Sequence, residues 1–468
     1  MNRAKSRTFS RYATYYSIIA AIGGFLFGYD TAVISGAIGF IKDRFELNTA
    51  MLGWTVSSLI VGATIGAAFT GVLSDRFGRK KILILSALLF TIGAVGSAIP
   101  NSVSALVIAR IIGGLGVGMT STLSPLYIAE IAPARNRGRL VSIYQFAVVT
   151  GIFVTFFTNA AIAGYGDDLW DIRSAWRWMF GFGVVPGVIY LALLLLIPET
   201  PRWLMKQKQE VRALEVLERM NGKEAAKSEL HEILNLKESD VGSVAELFRP
   251  ALRPPLLIGV VLAILQQITG INAIMYYAPE IFKQTGAGTN AALIQTVLVG
   301  IVNFAFTLIA LWLIDKVGRK ALLVAGAIAM TICLVVVGYG FHTPTISGYL
   351  VLTFILLYVA SFAVSFGPVV WVMISEIFPT RIRGRATAIA SLCLWAADYL
   401  VSQTFPMLLE GIGTSATFWL FAVVSWIAVI FCIRMVPETK GKSLEQIERL
   451  WETESERRNV YRERERAR

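Results

Sequence analysis

The sequence SIIAAIGGFLFGYDTAVISGAIGF, residues 17–40, decides the fold class of this chain. It is long enough to cross a bilayer as a helix, and Asp30 is its only charged residue. A carboxylate at the centre of a membrane helix costs roughly 2.5–3.5 kcal/mol to insert, so it normally faces the protein interior and binds or relays something. A second apolar stretch, Val103 to Ile128, holds Arg110 as an internal cation. We therefore expect a buried pair in which Asp30 gains and loses a proton.

The composition extends this interpretation from one helix to the whole chain. Of 468 residues, 55% are hydrophobic and 16% are charged, which is typical of a polytopic membrane protein. The net charge of +12 does not indicate a nucleic-acid partner, because the basic residues fall in short loops between apolar stretches, where they set topology. The lipid bilayer is the expected environment.

Several classes of function lack support in the sequence. The three cysteines lie inside apolar stretches and the two histidines are isolated, so we expect neither a disulfide framework nor a metal site. The run Gly114 to Gly118 (GLGVG) has the glycine spacing of a dinucleotide loop, but it lies inside an apolar stretch and predicts close helix packing. There is no Walker motif and no catalytic constellation, so we expect no cofactor and no enzyme activity.

We predict about twelve transmembrane helices, each near the ~20 residues that a bilayer requires. Lys and Arg are dense after the second, fourth, eighth and tenth stretches and sparse in the opposite loops. The positive-inside rule therefore places both termini and the long central loop in the cytoplasm. The predicted limits are 14–40, 51–73, 82–99, 103–130, 140–164, 176–197, 255–281, 291–314, 321–341, 347–375, 386–409 and 414–436.

Three blocks of the first half recur in the second. SDRFGRK (residues 74–80) returns 240 residues later as IDKVGRK, AEIAPARNRGR (129–139) returns 246 later as SEIFPTRIRGR, and PET (198–200) returns 239 later. Nearly one offset for all three implies a parallel six-plus-six duplication with substrate bound between the halves near the midplane. The predicted domains are an N-terminal six-helix bundle (1–200), cytoplasmic linker helices (201–253), a C-terminal six-helix bundle (254–440) and a cytoplasmic helix and tail (441–468).

These blocks resemble the sugar porter family of the major facilitator superfamily, in particular its bacterial proton–pentose and proton–hexose symporters. The resemblance covers about residues 14–450, and it includes GYDT (28–31), RIIGG (110–114), PETPRWL (198–204), QQITGIN (266–272), GPVVW (367–371) and PETKG (437–441). It implies an all-α membrane protein with twelve transmembrane helices, whose two bundles rock around a central sugar.

The implied activity is proton-coupled import of a xylose-like monosaccharide, a pentose or hexose, across the bacterial cytoplasmic membrane by a monomer. Asp30 and Arg110 match the proton-coupling pair of the family. A facilitative uniporter, in which Asp30 is only structural, stays open as an alternative. A membrane sugar sensor on the same fold is a second alternative.

The resemblance also implies the residues that contact the sugar. Amides supply donors and acceptors for sugar hydroxyls, and aromatic rings stack on sugar C–H faces. Gln267 and Asn272 lie about 140° apart on an ideal helix, so they converge only if the helix breaks at Gly270. The implied contacts are Phe27, Gln145, Gln266, Gln267, Asn272, Tyr276, Tyr277, Asn303, Trp371 and Trp395.

The sequence departs from this pattern at two positions. Leu394 stands where xylose symporters of this type carry a polar sugar contact, which leaves the exact sugar open. Asp398 stands where they tend to have Asn, and it is a third charge inside a membrane helix. It is a candidate second titrating group, a candidate acceptor for a sugar hydroxyl, or the partner of an unidentified cation.

A further set of charges lies at the predicted cytoplasmic ends of the helices. They fit a salt-bridge network that holds the two bundles shut on the inside, and solvated charges that obey the positive-inside rule are the alternative. Surface pairs worth ~0–1 kcal/mol each are weak enough to break in every cycle. The set is Asp75, Arg76, Arg79, Glu130, Arg135, Arg137, Asp315, Arg319, Glu376, Arg381 and Arg383.

Overall fold

The computed structural model describes residues 2–133, 136–222, 225–228, 230–231, 247, 252–343, 348–379, 382–441, 446–447 and 451. Within these ranges the chain is helical and contains no β-strand, which confirms the predicted all-α class. The same ranges hold 12 helices that are long and apolar enough to cross a membrane, which confirms the predicted number.

We number these helices as spans 1 to 12. Their bounds are Tyr12–Phe45 (the end of a helix that begins at Asn2), Thr49–Phe77, Arg79–Ala98, Val103–Ile131, Gly138–Ala163, Asp168–Leu194, Arg253–Lys283, Thr289–Val317, Arg319–His342, Gly348–Ile377, Arg383–Gly411 and Thr414–Met435. Most extend a few residues past their predicted limits because the helices continue beyond their apolar centres. Span 2, for example, begins directly after Asn48, whose side chain accepts the backbone N–H of Met51.

Spans 6, 7 and 10 are discontinuous. Span 7 consists of helices Arg253–Ile268 and Ile271–Lys283, with Gly270 at φ +98° between them. The helix therefore breaks at this glycine, which is the condition that the sequence set for Gln267 and Asn272 to converge. Span 10 consists of helices Gly348–Val364 and Phe366–Ile377. Span 6 contains a π-helical turn, Asp171–Ala175, before helices Trp176–Phe182 and Val184–Leu194.

The chain packs as two compact units. The first comprises Met1–Lys237, Asn272–Phe304 and Tyr399–Gly413, and the second comprises Glu238–Ile271, Ala305–Asp398 and Thr414–Arg468. In the first unit, span 2 packs along span 4 and span 1 packs along span 5. In the second unit, span 9 packs along span 12 and against span 10. The predicted domain boundaries at residues 200, 253 and 440 stay a prediction.

Glycines bring spans 2 and 4 into close contact. A β-carbon on Gly114 would overlap the carbonyl oxygen of Leu59, and one on Gly118 would overlap that of Ala63. The GLGVG run is thus a packing surface, as its apolar surroundings predicted.

Two helices of the predicted linker are described, Pro201–Lys206 and Glu210–Asn221. The second is amphipathic: Ala213 and Leu217 are buried, while Val211 is exposed. Most of the predicted C-terminal helix and tail lies outside the described residues.

Replacing Gly270 by Ala should destabilise the protein more than the same change at Gly286. Both glycines have positive φ, +98° and +90°, so each alanine carries roughly 1–2 kcal/mol of left-handed backbone strain. Only at Gly270 would the added β-carbon also lie 2.6 Å from the ring of Phe421, whereas no atom lies within 4 Å at Gly286. Melting temperatures in detergent measure the difference, and equal losses would contradict this account of the break.

Candidate functional site

Asp30 on span 1 and Arg110 on span 4 face each other inside the first unit. Nη1 of Arg110 lies 3.8 Å from Oδ1 of Asp30, and the two side chains are 1% and 13% exposed respectively. The structure thus brings together the lone acid and the lone base that the sequence singled out. Their role in proton coupling stays a prediction at this point.

Arg110 is held from the other side by the backbone of span 2. Its Nε donates to the carbonyl oxygen of Thr55 at 3.0 Å, and its Nη2 donates to that of Val56 at 3.4 Å. The Phe180 ring lies 5.6 Å from its Cζ, within the range of a cation–π contact. A planar guanidinium fixed at three points cannot follow Asp30 freely. Movement of span 1 relative to spans 2 and 4 would therefore change the separation of the pair.

Gln266 is committed in part to the break in span 10. Its Nε2 donates to the carbonyl oxygens of Phe366 at 2.8 Å and Gly367 at 3.0 Å. These hydrogen bonds join span 7 to the start of the second helix of span 10, which also carries Trp371. Oε1 of Gln266 is buried without a hydrogen-bond partner among the described residues, so one acceptor of this amide stays available.

Tyr277 is also engaged in packing. Its hydroxyl donates to the carbonyl oxygen of Ser402 at 2.9 Å, and its ring centroid lies 5.2 Å from that of Phe405. The side chain is fully buried. These contacts give Tyr277 a structural function independent of any sugar.

The remaining candidates for sugar contact divide between the two units. Those of the first unit are Phe27, Gln145 and Asn272, which are half-buried, and Tyr276 and Asn303, which are buried. Those of the second unit are Gln267, Trp395 and Asp398, which are buried, and Trp371, which is exposed. Buried amides and a buried carboxylate need polar partners, so these side chains are costly features of an apolar helix.

A cluster of charges lies at the end of the first unit where Arg79 begins span 3, which we call the basic end. The Arg79 guanidinium contacts Glu130 at 3.2 Å and Asp75 at 2.9 Å. Asp75 also pairs with Lys206 at 3.2 Å, and its carbonyl oxygen accepts the indole N–H of Trp203. The predicted partners Asp75, Arg79 and Glu130 therefore form one network.

The second unit repeats the arrangement. Arg319 lies 3.1 Å from both Asp315 and Glu376. Glu376 also accepts the hydroxyl of Thr439 at 2.6 Å. The duplicated spacing in the sequence thus corresponds to duplicated ion pairs.

Two more of the predicted gate residues, Arg76 and Arg383, are described by the structure. Arg76 is exposed and its guanidinium lies over the ring of Phe77, as a solvated charge would. Arg383 donates to the carbonyl oxygen of Phe378. Arg135, Arg381 and the side chain of Arg137 lie outside the described residues.

Sequence analysis missed the roles of Glu199 and Glu438. The Glu199 carboxylate accepts the backbone N–H of Arg79 at 2.9 Å and that of Lys80 at 3.1 Å. Glu438 accepts the N–H groups of Arg319 and Lys320 at 3.0 and 3.1 Å. Each carboxylate thus caps the start of a membrane span, span 3 or span 9. The signal was the repeated PET triplet, which served only as evidence of duplication.

The pKa values of the two capping carboxylates shift in opposite directions. Burial is the largest influence on Glu199 and raises its pKa above the usual value, against the N–H hydrogen bonds that lower it. At Glu438 burial also raises the pKa, but the N–H groups of Lys440, Arg319, Lys320 and Thr439 together outweigh it and the net pKa is lowered. The second cap is therefore the more firmly ionised.

Comparisons with known proteins point to one family. The profile of the sugar (and other) transporter family matches residues 16–451. The arabinose-proton symporter of Bacillus subtilis is 49% identical over 436 residues, which cover 93% of this chain and 94% of that protein. The D-xylose-proton symporter of Escherichia coli is 41% identical, with 96% and 97% covered. A partially occluded inward open structure of the xylose transporter XylE from E. coli superposes with a TM-score of 0.83 at 40% identity, covering 93% of this chain and 100% of that one.

Replacing Glu438 by Gln should lower the melting temperature at neutral pH, and the loss should shrink as the pH falls. A carboxylate with a lowered folded-state pKa stabilises the fold above its unfolded-state pKa, and this contribution disappears as the pH falls through the folded-state value. Glu199→Gln is the matched control. Because the folded-state pKa of Glu199 is raised, the wild-type advantage over this variant should instead shrink as the pH rises. Parallel pH profiles for the two variants would contradict the assignment.

Proposed function

Because the chain belongs to the sugar transporter family, we propose that it is a proton-coupled symporter that imports a monosaccharide, a pentose or a hexose. It is a multi-pass membrane protein and a transporter rather than an enzyme. The proposal rests mainly on one observation. Arg110 lies 3.8 Å from Asp30, the carboxylate in the apolar centre of span 1. Two relatives with substantial identity are named as proton symporters for arabinose and for D-xylose, which supports the same function.

The coupling follows from the environment of Asp30. A guanidinium nearby favours the charged carboxylate, while an apolar surrounding favours the neutral acid. If span 1 moves away from Arg110, Asp30 keeps its place in the membrane only by taking up a proton. The return of span 1 to Arg110 then releases that proton. One carboxylate thus binds one proton in each cycle, and sugar entry can be driven by ~2.3 kcal/mol per proton for each 100 mV.

The orientation in the membrane is part of the proposal. We place the start of span 3 at Arg79 and the start of span 9 at Arg319 in the cytoplasm, together with both termini. The charge clusters around Arg79 and Arg319 then form the inner gate. We further propose that one chain suffices for transport.

The sugar site is proposed residue by residue. Gln145, Gln267, Asn272 and Asn303 supply hydrogen-bond donors and acceptors, and the exposed Trp371 supplies a stacking surface. Gln266 contributes only its carbonyl oxygen, since its amide nitrogen is bound to span 10. Phe27, Tyr276 and Trp395 line the site, and Tyr277 supports it through span 11. Asp398 is proposed as an acceptor for a sugar hydroxyl.

Replacing Asp30 by Asn should abolish accumulation of sugar against a gradient and leave counterflow exchange in place. Asn cannot take up a proton, so the gradient no longer drives the cycle, while substrate binding does not need the proton to move. Uptake and counterflow of labelled sugar in proteoliposomes with an imposed pH gradient measure the two activities. Asp171→Asn removes another buried carboxylate of the first unit and is the matched control.

This experiment also separates symport from uniport. A uniporter has no accumulation to lose, so a wild-type protein that only equilibrates sugar would contradict the proposal. Unchanged accumulation by Asp30→Asn would remove Asp30 from the coupling site.

Replacing Gln267 or Trp371 by Ala should weaken sugar binding by roughly ten- to a hundredfold, because an unpaired hydroxyl at a desolvated site costs about 1–3 kcal/mol and stacking is lost with the indole. Calorimetry with arabinose, xylose, glucose and galactose measures the affinities. Trp426→Ala, which removes another exposed tryptophan of the second unit, controls for loss of an aromatic side chain. Wild-type affinity in either test variant would remove that residue from the site.

A further inference from the structure

A small cavity opens beside the Asp30–Arg110 pair, among spans 1, 3, 4 and 6. Its volume is about 10 Å³. A cavity of this size has room for about one water molecule. Apart from the ion pair its walls include Gly93, Ser97 and Gly113. All of these residues belong to the first unit.

The cavity offers polar partners to a small ligand. Nη1 of Arg110 is buried and has no hydrogen-bond partner in the described part of the chain, although Nε and Nη2 are both bonded. Its 3.8 Å separation from Oδ1 of Asp30 is too long for a hydrogen bond. Two polar groups at this distance are commonly bridged by water. Ser97 is a third polar residue in the wall of the same cavity.

The cavity also has a direction along the spans. Span 3 runs from Arg79 at the basic end to Ala98, so Ser97 lies in its last turn. Ala109, another wall residue, lies near the start of span 4 at Val103. Ser97 and Ala109 are therefore the wall residues nearest the ends of spans 3 and 4 that are opposite the charge clusters. In the proposed orientation that side faces the cell exterior.

The charged and titratable groups near the pair come from spans 1, 4 and 7. Arg110 is the cation that faces it from span 4. The hydroxyl of the neighbouring Tyr29 donates to the carbonyl oxygen of Met179 at 2.6 Å and is thereby occupied. Tyr276 and Tyr277 of span 7 lie near Arg110, and the Tyr277 hydroxyl is bonded to Ser402.

We propose that one water molecule binds in this cavity between Asp30 and Arg110, and that the proton reaches Asp30 through it from the exterior side before span 1 moves away from Arg110. The water accepts a hydrogen bond from Nη1 of Arg110 and donates one to the Asp30 carboxylate. In the transfer, its O–H bond to Asp30 breaks as the carboxyl O–H bond forms, and it regains a proton from a hydronium ion on the Ser97 side. The sum is one hydronium and one carboxylate giving one water and one carboxylic acid. This inference rests on the proposed proton symport.

Gly113→Ala tests the water site by filling it. The added β-carbon would lie 3.4 Å from Oδ2 of Asp30 and 3.5 Å from Cα of Gly93, so it fits without displacing backbone. Gly181→Ala is the matched control, because its β-carbon would lie 3.6 Å from that of Ala98, also an ordinary contact, and Gly181 is not among the cavity walls.

We expect Gly113→Ala to slow proton-driven sugar uptake about tenfold, which corresponds to ~1.4 kcal/mol in the barrier. Counterflow, which moves no net proton, should stay within about twofold of wild type, and Gly181→Ala should match wild type in both assays. Wild-type uptake by Gly113→Ala, or equal loss of uptake and counterflow, would overturn the proposal.

A second measurement does not depend on the variant folding. A map of the unmodified protein at a resolution that shows ordered water should contain a water within hydrogen-bond distance of Nη1 of Arg110 and of the Asp30 carboxylate. A map without it would overturn the proposal. If the wild-type protein moves no protons with sugar, the proposed function fails; if it does and this density is missing, only the water site fails.

Discussion

The contact between Asp30 and Arg110 is the interaction on which the rest of the first unit depends. Either charge alone inside the bilayer would cost several kcal/mol, and removing one partner of a buried pair typically costs 3–5 kcal/mol because the other is left uncompensated. Two backbone carbonyls of span 2 accept hydrogen bonds from Arg110. Glycines let spans 2 and 4 approach closely enough for these bonds to form. The pair is nevertheless loose at 3.8 Å, with one guanidinium nitrogen unbonded in the described residues. An interaction that is costly to break yet not fully satisfied is suited to switching.

The duplicated halves have kept their ends and changed their centres. Arg79 and Arg319 sit in equivalent ion-pair clusters, each beside a carboxylate that caps the following span. By the offset of 240 residues that joins Asp75 to Asp315, Asp30 corresponds to Gly270. The first copy thus carries an ionisable group where the second carries a helix break flanked by amides.

Much of the fold and part of the candidate site could be predicted from the sequence, because a bilayer allows few kinds of structure to cross it. Apolar length fixes the spans, and a lone carboxylate in one of them demands a partner, so the Asp30–Arg110 contact followed from two residues. A break at Gly270 was recognised from helix geometry as the condition for Gln267 and Asn272 to converge, and the structure contains that break. The hydrogen bonds from Gln266 to span 10 and from Tyr277 to span 11 were not predicted. They depend on which backbone carbonyls are exposed by a helix break or by a neighbouring helix. Glu199 and Glu438 were missed as caps, since their partners are backbone N–H groups more than a hundred residues away.

The central claim is that sugar and proton cross together. The most direct test is a pH electrode in a weakly buffered suspension of de-energised cells or proteoliposomes that contain the wild-type protein. Addition of a transported pentose or hexose should make the external medium alkaline at once, abolished by a protonophore, with about one proton taken up per sugar as expected for the single carboxylate at the pair. Sugar entry with no change in external pH would contradict the account.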